Sequence, residues 1–151
     1  MLPDTFTLNG QSYARTDLDE LVRIVQRDAR GTPAEQVPAY LRVLGGPAQD
    51  LSGVPDPSDW VRHRDGDVAE QYLFVIDRNV TDVTSDDPAR MLMAIASLVQ
   101  DYVVADGGKP WPEIVINSRR AVLDAIAVGP DQVWWCDRGH PVCAVGEFHA
   151  A

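Results

Sequence analysis

Lysine is almost missing from this chain. Lys109 stands alone beside twelve arginines, and these face 23 acidic residues, for a formal net charge of −10. A phosphate backbone is repelled by that balance, because nucleic-acid affinity rests on neutralising phosphates with Lys and Arg. An anionic membrane surface is disfavoured for the same reason. Plain solubility, or a basic protein partner, is favoured instead. The arginine bias, with abundant Ala, Val and Asp, is a codon signature of GC-rich, actinobacterial or phage coding and carries no functional meaning.

Long apolar runs are absent as well. The best, Met91 to Val99, is cut by Gln100 and Asp101, short of the roughly 18 residues a membrane helix requires. Met1-Leu2-Pro3-Asp4 offers neither a basic nor an apolar leader region, so the reading is a cytoplasmic protein. Catalytic signatures are missing too. There is no Gly-x-Ser-x-Gly elbow, His-Glu-x-x-His helix, phosphate loop or dinucleotide fingerprint. His63-Arg64-Asp65 matches the kinase catalytic triplet, but no other kinase element accompanies it. The expectation is a protein without catalytic activity or cofactor; a small enzyme whose site assembles from distant residues is the alternative.

What is present reads as one α+β domain covering residues 1–151, with an N-terminal subdomain over 1–45, a loop over 45–59 and a core over 60–151. The length suffices for a core without metal or disulfide staples. Thr5–Leu8 and Gln11–Arg15 flank Asn9-Gly10, a strong hairpin signal. Thr16 caps a helix with the stripe Leu18, Leu21, Val22 and Val25, which Gly31 stops. Thr32-Pro33-Ala34-Glu35 opens a second helix carrying Val37, Tyr40, Leu41 and Leu44, bent or shortened by Pro38. Tyr72-Leu73-Phe74-Val75-Ile76 reads as a central strand covered on both faces. Asp86-Asp87-Pro88 opens a third helix of about 25 Å, whose two apolar stripes imply burial on two sides. Glu113–Asn117 is a strand, and Ser118 caps a fourth helix with Val122, Leu123 and Ile126, broken at Gly129-Pro130. A C-terminal hairpin pairs Asp131–Cys136 with Pro141–Phe148. The pattern predicts one mixed or antiparallel sheet of five to six strands with about four helices.

Two clusters invite a chemical reading. Cys136, His140, Cys143 and His149 are the residue types that zinc takes, but their spacing fits no zinc finger or knuckle, and core packing is the favoured reading. Asp65, Asp67 and Glu70 form an acidic turn before the central strand. They would suit a divalent cation or charge-assisted pairs with a partner's arginines. Of Trp134 and Trp135, strand neighbours, one faces inward and the other outward. Trp60 and Trp111 stand beside proline-rich connections, where burial is less assured, and exposed Trp is enriched at binding hot spots.

From residue 67 to 148 the order strand, helix, strand, short helix, Val128-Gly129-Pro130, then paired strands around Trp134-Trp135 and Ala144-Val145-Gly146 resembles immunity proteins of bacterial polymorphic toxin systems. That α+β family is often paired with deaminase or nuclease toxins. The resemblance implies an acidic inhibitor that reaches a toxin's basic cleft by electrostatic steering. Partner contacts would come from Trp60, Asp65, Asp67, Glu70, Trp111 and Trp134, with Trp60 or Trp111 as the desolvated anchor. A phage or host accessory protein that blocks a defence system is the other binding-protein reading.

Overall fold

The computed structural model describes residues 2–45 and 70–149. Within them the chain forms β1 (Thr5–Leu8), β2 (Gln11–Ala14), α1 (Asp19–Asp28), β3 (Ala39–Leu44), β4 (Gln71–Ile76), β5 (Asn79–Asp82), α2 (Pro88–Gly107), β6 (Glu113–Ile116), β7 (Arg119–Val122), β8 (Asp124–Ala127), β9 (Val133–Asp137) and β10 (His140–Ala144). Single 3-10 turns occupy Arg15–Asp17 and Pro33–Gln36. All pairing is antiparallel: β1 with β2, β3-β4-β5, β6 with β7, and β10-β9-β8.

The class is α+β, but the expected single sheet and four helices are overturned. Among the described residues there are ten strands in four small sheets and two α-helices. The second expected helix fails at Pro38. Thr32 does cap a turn, its side chain accepting from the Ala34 amide. Pro38 then forces Val37 to extended geometry (φ −112°, ψ 153°), and Ala39–Leu44 continues as β3. The fourth expected helix fails at Ser118. Asn117 and Ser118 both have positive φ, 50° and 64°, the requirement of a tight hairpin turn. Ser118 is therefore a turn residue between β6 and β7, not a cap. Thr16 likewise lies in the 3-10 turn, and no side chain caps α1. Asp19 instead reaches across to accept the Leu41 amide of β3 at 3.1 Å.

Other expectations hold. Asn9-Gly10 turns with φ of 49° and 81°, and β9 turns into β10 across Arg138-Gly139. The central strand β4 lies between β3 and β5 and is buried on both faces. Asp87 caps α2 by accepting the Ala89 amide at 2.9 Å, and Gly108 closes it in a left-handed conformation. At 20 residues α2 is about 30 Å long. It is the centre of the molecule: none of residues 91–100 is fully exposed, because α1, β1, β4, β8 and β9 all pack on it. None of the helices is long and apolar enough to cross a membrane, among the described residues.

A continuous apolar cluster runs from Leu2 to Phe148, drawing on both the first 45 residues and residues 70–149. Leu44 and Leu73, on the opposite side of the β3-β4-β5 sheet, form a small second cluster. The ends of the main cluster are stitched by Asn9. Its side-chain amide donates to the Val133 and Val145 carbonyls at 3.1 and 3.3 Å, and its Oδ1 accepts the Val133 amide at 2.9 Å. Asn9 thus has two separable duties, a left-handed turn and a bridge to the C-terminal strands. Replacing it with Gly keeps the turn and loses the bridge, at about 1–3 kcal/mol. Ala loses both and should cost more. Chemical denaturation of the two variants orders them; equal losses would show that the turn conformation carries no cost.

Candidate functional site

Asp28 is the one charged side chain buried in the described structure, 4% exposed. It occupies the position after Leu21 and Val25 on the inward stripe of α1, where an apolar residue is expected. A buried carboxylate requires donors, and three are supplied from more than 100 residues away. The Trp135 indole N–H donates to its Oδ2 at 2.8 Å, the Gly146 amide to the same oxygen at 2.6 Å, and the Phe148 amide to Oδ1 at 2.9 Å. Burial pushes the Asp28 carboxyl above its usual value, against the opposing pull of these donors and of Arg27.

Around this latch lie the aromatics. Trp135 is fully buried, and Trp111 packs edge-on against it at 5.4 Å and against Phe148 at 6.2 Å. Trp111, proposed as an exposed anchor, has 7% of its surface accessible and is a core residue. Trp134 is the outward neighbour, half-buried, with its indole N–H on Gln132 at 3.1 Å. Glu70 accepts the Tyr72 hydroxyl at 2.7 Å, and burial with this bond pushes that phenol up to about 12. Trp60, Asp65 and Asp67 lie outside the described residues.

The cysteine and histidine set is not brought together. His140 and His149 are exposed, and among the described residues no three metal-ligand side chains gather. A bulge between Pro141 and Cys143 sets Cys143 opposite Trp135, where regular pairing with Cys136 opposite Pro141 would set it opposite Trp134. Cys143 packs against the core on that side. Burial, then the Asp28 and Glu147 charges and Cys136, hold its thiol up to about 11; burial and Asp124 raise Cys136. Neither environment favours the thiolate that a nucleophilic cysteine requires.

Outside the latch, the exposed side of α1 forms one wall of a half-open groove of about 1070 Å³, closed by the β1–β2 hairpin and the turn at residues 144–147. Arg23 and Arg27 of α1 and Arg30 of the turn after it line the groove, with Asp17, Glu20, Glu35 and Glu147 around them. Arg23 is tied to Glu20 and, at 4.0 Å, to Asp17. Among the described residues no histidine or cysteine lines the groove. The spacing of the three arginines, four and three residues, was the sequence signal for it.

A second polar surface surrounds the C-terminal end of α2. Tyr102 is half-buried; desolvation raises its hydroxyl first, then the negative charges of Asp106 and Asp77. Asp101, Val104 and Asp106 are exposed beside it, Val104 at 40%. The basic residues near them in sequence, Arg78 and Lys109, form no ion pair with these carboxylates. A scan against protein-family models, a search of curated proteins and a search of solved structures each returned no match, so both surfaces are interpreted from their own geometry.

The latch gives a signed prediction. A carboxyl whose pKa is higher folded than unfolded contributes stability that is complete below its unfolded value and is lost as pH rises through the folded one. Asp28→Asn removes that ionisation and also turns an amide N–H toward one of the three donors, at about 1–3 kcal/mol. The stability gap between wild type and Asp28→Asn should therefore be widest in acid and narrow as pH rises across the carboxylate range. Denaturant melts at several pH values measure it; a gap that widens with pH would show that the donors outweigh burial.

Proposed function

We propose that this protein is a non-enzymatic, acidic binding protein that neutralises a basic partner, as an immunity protein neutralises a toxin domain. The observation that carries the reading is the carboxylate surface at the end of α2. Asp106 lies in the last helical turn, where the backbone dipole presents negative charge, and no basic residue occupies that turn. Asp77 and Asp106 add like charge on either side of Tyr102. These groups work against the stability of the helix that centres the molecule. Carboxylates retained at such a cost are well placed to meet a cationic partner, with the Tyr102 ring as apolar contact beside Asp106.

The net charge of −10 extends this local field into long-range steering. Among the described residues the groove on α1 is lined by neither histidine nor cysteine. Trp134, half-buried on β9, is an aromatic contact at a different surface; the reading does not require it.

The test uses any basic protein domain found to be encoded beside this chain. Association should be fast at low salt and should slow steeply as salt is raised, and the domain's activity should be inhibited in the complex. The double variant D101N/D106N should slow association while raising thermal stability, with Asp106 contributing about 0.3–1 kcal/mol. No complex at low salt, or full-speed association by the variant, contradicts the proposal.

A further inference from the structure

We propose that the groove on α1 binds a small molecule carrying a phosphate group, with Arg27 and Arg30 as its cationic clamp. This site is separate from the acidic surface at the end of α2 and does not depend on it.

Arg27, exposed in the last turn of α1, and Arg30, exposed in the turn that follows the helix, both line the same concave space. In a chain with ten more acids than bases, neither forms an ion pair or a side-chain hydrogen bond with another described residue. The nearby carboxylates are largely committed elsewhere. Asp17 and Glu20 hold Arg23, and Glu35 accepts the Gly31 amide. Among the described residues that line the groove, Glu147 is the carboxylate without such a partner.

The turn at Gly146 forms the floor beside the clamp. Gly146 has φ of 104°, and a Cβ there would lie 2.7 Å from Ile24 Cγ2 and 3.3 Å from Arg27 Nη2. Ile24 leaves no room for a side chain, and the same residue donates its amide to Asp28. The latch that closes the core therefore also brings this bare turn up to the Arg27 head group.

The donor set selects the anion. Two guanidinium forks, the Tyr13 hydroxyl and the Gln26 amide line the same space, more donors than the two oxygens of a carboxylate accept and well suited to the three of a phosphate monoester. Burial raises the Tyr13 hydroxyl, while the Arg27 charge pulls it down and Glu20 pushes it up. The volume exceeds what inorganic phosphate fills, and Leu8, Ile24 and Val145 give the remainder an apolar lining for an organic group.

The test is a titration of the full chain with phenyl phosphate, inorganic phosphate and, at matched ionic strength, acetate. Phenyl phosphate should raise the melting temperature saturably, inorganic phosphate less, and acetate not at all, with amide NMR shifts confined to the hairpin, α1 and residues 144–147. The double variant R27Q/R30Q should weaken phenyl phosphate binding about tenfold or more, while R138Q, in a turn outside the groove, should match wild type. Both altered side chains are exposed, and a circular dichroism melt without ligand checks that the variant folds. A response to acetate equal to that of phosphate, no saturable response, or wild-type binding by R27Q/R30Q overturns the assignment.

Discussion

A single carboxylate holds the two ends of this molecule together. Asp28 sits where α1 meets the core, and its two oxygens take every donor that the last strands bring to it: an indole N–H and two backbone amides. Hydrogen bonds to a charged acceptor contribute about 1.5–3 kcal/mol each, but an unmet buried charge costs more than any one of them returns. The arrangement is consequently all or none. Trp135 must point inward, residues 146–148 must run across the end of α1, and α1 must be present to receive them.

Much else is placed by that requirement. The inward Trp135 sets the edge-on contacts of Trp111, and Trp111 in turn packs on Phe148, the residue whose amide closes the latch. Gly146 must approach α1 closely, which leaves no room for a side chain against Ile24 and brings the bare turn up to the Arg27 head group. Asn9 adds a second tie between the N-terminal hairpin and the same C-terminal strands. The groove thus inherits its shape from core satisfaction, while the acidic end of α2 sits on a helix held from most sides and tolerates charges that weaken its last turn.

The local features were legible wherever one residue type admits one conformation. Asn9-Gly10 and Arg138-Gly139 announce tight turns, Asp87-Pro88 announces a helix start, and five consecutive apolar residues in β4 announce a strand covered twice. The segment 118–127 was not legible because its true period is carried by small residues. Ala121, Leu123 and Ala125 alternate inward along β7, the link after it and β8, whereas Val122, exposed, combines with Leu123 and Ile126 to imitate a helical stripe. Pro38 pointed to the right outcome for β3, since a residue that bars helix should have outweighed a good cap upstream. The site was hidden for another reason: Asp28 and its partners are more than 100 residues apart, and only its place on an apolar stripe set it apart from the other carboxylates.

The central claim is that the latch opens only when the whole domain unfolds. Native-state hydrogen exchange followed by NMR reads this directly at the Gly146 and Phe148 amides and the Trp135 indole. If Asp28 ties the ends together as described, all three protons exchange with the free energy of global unfolding, together with the core amides of α2. Exchange of residues 146 and 148 through a low-energy opening, while α2 remains protected, would contradict the account.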